Sequence, residues 1–320
     1  MNLSPILIIA YNRYEKITQI LNILKNVKNL SSVYFKIDGP RNKQDFLKIK
    51  NVIRQIKNFK KFTNKKIFIK TEKYNLGLKN NIISGINWVF SKEDKLIILE
   101  DDNIFDISFL SFSTKILKLY EKNENIFHIN GTNFNTSKVS NDYYFTKLAD
   151  CVGWATWKRA WIKLEKSFDL NSLMDSYKFN NYYQDKEITN WFCEYLFREI
   201  NTKRKRGLWS TWWQLSIINN NGICINPSKN LVFHDGYEKK DNPEHFNKLA
   251  LIKKNYSIEN IKINKLIKKK INYNYTDDNP HINLIKNIDP FFNIVNKMKW
   301  SIKKYFRKSI FSKKFSYVKL

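Results

Sequence analysis

Near the start of the chain, Pro5 is followed by five apolar residues without interruption, Ile6-Leu7-Ile8-Ile9-Ala10. A run with no polar alternation reads as a strand buried on both faces. Tyr11-Asn12-Arg13 ends it. Ile17, Ile20, Leu21, Leu24 and Val27 then recur at helical spacing. The pattern repeats. Val33 to Ile37 reads as a second strand, stopped by Asp38-Gly39-Pro40. Phe46, Ile49, Val52, Ile53 and Ile56 mark a second helix, and Lys66 to Lys70 a third strand. Asn75-Leu76-Gly77-Leu78 turns into a helix carrying Ile82, Ile83, Ile86, Val89 and Phe90. Lys95-Leu96-Ile97-Ile98-Leu99 is a fourth strand, and it runs directly into Glu100-Asp101-Asp102-Asn103.

Strands alternating with helices imply parallel βαβ units and an α/β fold with a mostly parallel central sheet. Beyond about residue 125 the pattern loosens. Phe127 to Asn130 and the stretch 223–234 read as short strands, 186–202 as a helix, and 143–165 is dense in Trp and Tyr.

In open parallel sheets, ligands bind beyond the carboxyl ends of the strands. Tyr11-Asn12-Arg13, Asp38 and the triplet Glu100-Asp101-Asp102 all fall at such ends. Three successive carboxylates after a buried strand are costly unless a cation joins them. Hard oxygen ligands suit Mg²⁺ or Mn²⁺, ions that share their coordination shell with substrate phosphates. A solvated acidic turn or a helix start also produces such a triplet. Asp38 is placed to accept hydrogen bonds from a ribose or base, or to be an ordinary turn aspartate before Gly-Pro. Arg13 and Arg41 are candidates for phosphate or uracil contacts.

The net charge is +28. Lys, Ile and Asn are abundant together, which points to compositional bias before it points to nucleic acid, and no nucleic-acid-binding module is recognisable. Cys151, Cys193 and Cys224 are widely spaced, with no CxxC, as expected in a reducing compartment. No apolar run has the roughly 18–20 residues of a spanning helix. These features lead to the expectation of a cytoplasmic protein.

Four segments carry a resemblance: Pro5-Ile6-Leu7-Ile8-Ile9-Ala10-Tyr11-Asn12-Arg13, Asp38-Gly39-Pro40-Arg41, Asn75-Leu76-Gly77-Leu78 and Leu99-Glu100-Asp101-Asp102-Asn103. In this order they resemble the nucleotide-sugar domain of GT-A glycosyltransferases. The branch is that of N-acetylglucosaminyltransferase I and the bacterial HlpA-like sugar transferases. Cys151-Val152-Gly153-Trp154-Ala155-Thr156-Trp157-Lys158-Arg159-Ala160-Trp161 and the stretch 221–232 are similar to blocks of the bacterial subgroup. The likeness spans roughly residues 3–246.

The resemblance implies a GT-A fold and a metal-assisted, inverting transfer of sugar from a nucleotide diphosphate. The donor would be a nucleotide sugar, with a UDP-sugar favoured, and the acceptor a glycan or glycolipid. Residues 1–125 would form the nucleotide-sugar half, 126–250 the acceptor half and 251–320 a basic helical appendage. Ala10, Tyr11, Arg13 and Asp38 would line the nucleotide pocket, Glu100 and Asp101 would support the sugar, ribose or metal-bound water, and Asp102 would bind Mn²⁺ or Mg²⁺. Trp154 would wall the sugar or acceptor site, and His245 would approach the metal.

The subgroup's acid before the Asn-Gly turn is missing. Trp212 stands in its place in Trp209-Ser210-Thr211-Trp212-Trp213-Gln214. The base for the acceptor hydroxyl is then unassigned; Asp150, Asp185, Glu187 and Asp235 are candidates, and the gap is also met if the base comes from elsewhere, or if the enzyme is retaining or inactive. Trp154, Trp157 and Trp161 have the spacing of one helix side, and aromatic stripes commonly fill cores. From Lys297 onward nine Lys or Arg residues, and no acid, interleave with aromatics. Such a segment is suited to an anionic membrane surface, or to a basic tail. Two further readings remain: a sugar nucleotidyltransferase, although no glycine-rich phosphate loop follows the first strand, and an inactive scaffold on the same fold.

Overall fold

The computed structural model describes residues 2–133, 142–165, 167–169, 177–201, 209–235, 258 and 317–319. His245 and nearly all of the 251–320 appendage lie outside them. Within it, Tyr317–Lys319 form a short strand that pairs antiparallel with Ser167–Asp169.

The chain forms β1 (Ile6–Ala10), α1 (Tyr14–Lys25), β2 (Ser32–Ile37), α2 (Lys43–Lys61), β3 (Lys66–Thr71), α3 (Gly77–Phe90), β4 (Lys95–Glu100), β5 (Asn103–Phe105), α4 (Ile107–Leu119) and β6 (Ile126–Asn130). Then follow β7 (Tyr143–Thr146), β8 (Trp154–Trp157), α5 (Lys158–Trp161), β9 (Ser167–Asp169), α6 (Tyr177–Tyr183), α7 (Lys186–Asn201), α8 (Trp209–Asn219), β10 (Ile223–Pro227), β11 (Val232–His234) and β12 (Tyr317–Lys319).

Eight strands make one sheet in the order β3-β2-β1-β4-β8-β6-β10-β7. The first four are parallel to one another, in register Ile6 with Val33 and Ile97. The other half is mixed, because β8 runs antiparallel to both β4 and β6. Strands from both sequence halves therefore share a single sheet.

Side chains alternate across the sheet and build two cores. Ile6, Ile8 and Ala10 face α1, α2 and α4. Leu7 and Ile9 face α3 and α8. The result is a three-layer α/β/α arrangement, so the expectation of an α/β fold with a large central sheet stands. The chain adds β2 and β3 on one side of β1 and β4 on the other. The strand order thus reverses between β1 and β4, which is where open sheets form their ligand crevice.

The 154–161 tryptophans do not lie on one helix. Trp154 and Trp157 are both in β8, and their odd separation sends them to opposite faces. Trp157 joins the core under α4, and Trp154 the core under α8.

Candidate donor and metal site

A cleft of about 310 Å³ opens at the β1–β4 reversal, lined in part by Ala10, Tyr11, Arg13, Asp38, Glu100 and Asp101. These six are residues that the sequence placed around a nucleotide. Each is positioned by a local interaction.

Asp38 is 5 % exposed and acts as a clamp. Its Oδ1 accepts from the backbone N–H groups of Gly39 and Leu76, both at 2.8 Å. Its Oδ2 accepts from Asn75 Nδ2 at 3.0 Å and from Gly77 N at 3.1 Å. The β2 carboxylate thus caps the first turn of α3, whose own N-cap residue, Leu76, has no side-chain acceptor. Gly39 is required beside it, because a Cβ there would sit 2.3 Å from the Tyr74 backbone.

Tyr11 is held from the other side. Its hydroxyl donates to Asp45 Oδ2, Asn12 Nδ2 donates to Asp45 Oδ1 at 2.7 Å, and Arg41 Nε reaches the same carboxylate at 3.1 Å. The Tyr11 bond, then Arg41 and Asn12, hold the Asp45 carboxyl well below the usual carboxylate range. Asp45 was not singled out in the sequence. Its signal is the Asn42–Asp45 pairing that starts α2, in which the Asn42 side chain accepts from Asp45 N.

The acid triplet is folded back onto Arg13. The guanidinium donates to Asp102 Oδ2 at 2.9 Å and to Asp101 Oδ1, and Tyr11 N donates to Asp101 Oδ2 at 3.3 Å. Desolvation, then its acidic neighbours, push Glu100 up to about 8, with Arg13 pulling the other way. Desolvation likewise raises Asp101 to about 6 against the pull of Arg13.

Across from the triplet lies a histidine that the sequence reading did not select. β11 pairs antiparallel with β5, setting His234 opposite Asn103 and its Nε2 3.6 Å from Asp102 Oδ1. Val232 holds this strand down by packing against Gly131 and Gly153, where any Cβ would meet its methyls at 2.4 and 2.7 Å. Gly153 also has φ +58°, a conformation suited to glycine.

Among the described residues, no three His, Cys, Asp or Glu side chains converge into a closed metal cage. Asp102 Oδ1 and His234 Nε2 nevertheless offer one hard oxygen and one imidazole nitrogen at a separation suited to neighbouring ligands of one small ion. The carboxylate suits Mn²⁺ or Mg²⁺, whereas the imidazole suits a softer ion, and two protein ligands would leave the rest of a coordination shell to water and diphosphate oxygens.

Asp150 belongs to the same neighbourhood. Burial raises its pKa, while the Thr132 hydroxyl, the Val152 N–H and the nearby charge of His234 pull it down. Thr132 Oγ1 donates to its Oδ2 at 2.6 Å. The Cys151 thiol is raised by burial, with the charges of Asp150 and Glu100 adding to the effect.

Of the other candidate bases, Asp235 and Asp185 are engaged in contacts of their own. The Asp235 carboxylate pairs with Lys16 of α1, and its backbone N–H donates to Asp102 O at 2.8 Å. Asp185 caps α7, accepting from Glu187 N at 2.8 Å and Ile188 N at 3.0 Å. Glu187 lies in the first turn of that helix. Trp154 is 1 % exposed, stacked on His128 at 4.9 Å between ring centres and on Trp209 at 5.6 Å. It fills the core and does not wall an open sugar site. Trp212 is buried in the same core, while Gln214 braces the segment before Asp150, accepting from Ala149 N at 2.8 Å and donating to Lys147 O at 3.0 Å.

A buried polar chain sets the backbone of Asp150. Trp213 Nε1, which can only donate, gives its proton to His128 Nδ1 at 3.0 Å. The neutral ring therefore carries its proton on Nε2, which faces two acceptors: Asn130 Oδ1 at 2.7 Å and Asp150 O at 3.1 Å. Asn130 Oδ1 also accepts from Asp150 N at 2.7 Å. Burial lowers the His128 pKa to about 4, and a second ring proton would point at the Trp213 N–H.

A histidine depressed in the folded state contributes stability above its unfolded pKa of about 6.5, and this is lost as pH falls toward 4. Wild type should lose about 2 kcal/mol between pH 7 and pH 4.5 through this ring alone. Urea denaturation at the two pH values checks it: His128→Gln should be less stable at pH 7 and show a pH slope shallower by that amount.

No protein-family model matches the chain, and no curated protein matches it. Among solved structures it is similar to a 4-diphosphocytidyl-2C-methyl-D-erythritol synthase from Anaerococcus prevotii, with 12% identity, 78% of this chain and 96% of that one covered, and a TM-score of 0.38. It is also similar to a UDP-glucose pyrophosphorylase complexed with UDP-glucose, with 11% identity, 79% and 99% covered, and a TM-score of 0.36. At those scores neither likeness bears on function.

Proposed function

We propose that the protein is a metal-assisted glycosyltransferase that takes a sugar from a nucleotide diphosphate. The observation that supports it is a nucleotide-sized cleft at the strand-order reversal, lined by Arg13, Glu100 and Asp101, with Asp102 next along the chain and held by the same Arg13 guanidinium. A divalent ion held by Asp102 and His234 would neutralise charge on the departing diphosphate. Ala10, Tyr11 and the loop pinned by Asp38 would hold the nucleoside. Arg13 keeps Asp101 and Asp102 in place.

Asp150 is the proposed base. As the bond between the sugar's anomeric carbon and the diphosphate oxygen breaks, its electron pair leaves with the diphosphate. The acceptor oxygen bonds to that carbon, and its proton passes to the Asp150 carboxylate. Thr132 orients that carboxylate, and the Asn130 and His128 contacts fix its backbone. Asp150 thus supplies a carboxyl although Trp212 occupies the position where the resembling family has its acid. Inversion is the outcome the resemblance implies. The acceptor is proposed to be a glycan or glycolipid. The membrane-facing role of the basic tail is a further proposal, and it falls on residues outside the described ones. No helix among the described residues is long and apolar enough to cross a membrane.

Product analysis tests the reaction class. With a panel of nucleotide sugars and Mn²⁺, glycosyl transfer or donor hydrolysis releases nucleoside diphosphate. Release of pyrophosphate from a nucleoside triphosphate and a sugar phosphate would mean nucleotidyl transfer instead. Turnover of neither kind would favour the inactive scaffold.

A further inference from the structure

Asn81 lies on α3, lines the cleft, and is 3 % exposed, yet its Oδ1 has no hydrogen-bond partner. Its place follows from the packing of α3. A Cβ on Gly85 would meet Ile9 Cδ1 at 2.9 Å and Lys36 Cγ at 3.0 Å, so the helix sits directly on β1 and β2. Asn81, one turn nearer the N-terminus of α3, reaches the carboxyl edge of those strands on the same helix face. The polar groups around it are already engaged: Asp38 by four N–H donors, Arg13 by Asp101 and Asp102, and Tyr11 by Asp45. A buried acceptor left without a partner is destabilising and calls for an explanation. Here the open side is the cleft.

We infer that Asn81 is a nucleoside-binding residue, its carboxamide oxygen accepting a hydrogen bond from an N–H or O–H of the bound nucleoside. The inference rests on the nucleotide reading of the cleft. A diphosphate offers no such donor at neutral pH, and its proposed place is at the β4 end, beside Asp102 and His234. Asn81 instead stands over β1 and β2, on the Asp38 side. Two donors suit it, a base N–H and a ribose hydroxyl.

The test is calorimetric titration of UDP, CDP, GDP, 2′-deoxy-UDP and pyrophosphate, each with Mn²⁺, on wild type, Asn81→Leu and Asn81→Asp. Asn81→Leu should weaken the preferred nucleotide about 10- to 100-fold. It should leave pyrophosphate unchanged, and should draw the preferred nucleotide level with the others if the donor is a base N–H, or weaken all the ribonucleotides together if it is the ribose hydroxyl. Asn81→Asp, which keeps an acceptor, should retain the preference. If the deoxy sugar costs wild type the same factor but costs the leucine variant nothing, the donor is the ribose hydroxyl. If it costs neither, the donor is the base. Without ligand, Asn81→Leu should melt at or above wild type, since it removes an unsatisfied buried group. A structural asparagine would give the opposite shift. Unchanged nucleotide binding in Asn81→Leu, or equal weakening of pyrophosphate, overturns the assignment while leaving the nucleotide reading in place. A wild type that binds pyrophosphate and no nucleotide overturns both.

Discussion

Asp150→Asn should lower kcat for sugar-nucleotide turnover about 10²- to 10⁴-fold, the usual contribution of a positioned general base. The dissociation constant for the nucleotide should stay within about threefold of wild type, because an interaction needed only when the proton moves shows in kcat and not in binding. The substitution keeps the shape of the side chain and an oxygen for the Thr132 hydroxyl. Loss of activity would therefore report the missing proton acceptor. Steady-state kinetics beside a binding titration separates the two terms. Equal loss of both would place Asp150 in the fold and return the base to the unassigned carboxyls.

The second large effect concerns stability. Arg13 lies between Asp101 and Asp102, two buried carboxylates, with its own side chain 36% exposed. Removing one partner of a buried ion pair costs about 3–5 kcal/mol, and the partial exposure of Arg13 lowers the expectation for Arg13→Met to about 2–3 kcal/mol. If a divalent ion binds Asp102, it should supply part of the missing charge. Mn²⁺ should then raise the melting temperature of Arg13→Met by more than it raises that of wild type. Thermal unfolding with and without the ion shows this directly. An equal shift in both proteins would mean that the ion does not reach the triplet.

The half of the sheet that carries the cleft was legible in the sequence for a physical reason. β1, β2 and β4 are buried on both faces, so β1 and the centre of β4 read as unbroken apolar runs and β2 as a run interrupted only by Lys36, and the first polar residues after them mark the ligand edge. Tyr11, Asp38 and the triplet lie where that rule points, while Ala10 follows from the family resemblance alone. The other half was harder to read. α8 is buried on all sides and presents no polar face, so helical periodicity is absent. α4 is likewise mostly buried. The Trp154, Trp157 and Trp161 spacing imitates a helix although the first two belong to a strand.

Several site residues depend on contacts distant in sequence. His234 reaches Asp102 only because β11 pairs with β5, and His128 meets Asp150, 22 positions further along the chain. Local patterns carry no information on such pairings. Asp45 and Asn81 are different, since each sits within a helix beside a motif that had been noticed. What marks them is a short bond to Tyr11 in one case and an unfilled acceptor in the other.

The most direct measurement is calorimetric titration of UDP, GDP and CMP, with and without Mn²⁺, on wild type and Asp102→Asn. A metal-assisted donor site requires that one nucleoside diphosphate bind wild type in the presence of Mn²⁺, with binding at least tenfold weaker when either the ion or the Asp102 carboxylate is removed. Absence of nucleotide binding to wild type, or binding indifferent to both the metal and the substitution, would contradict it.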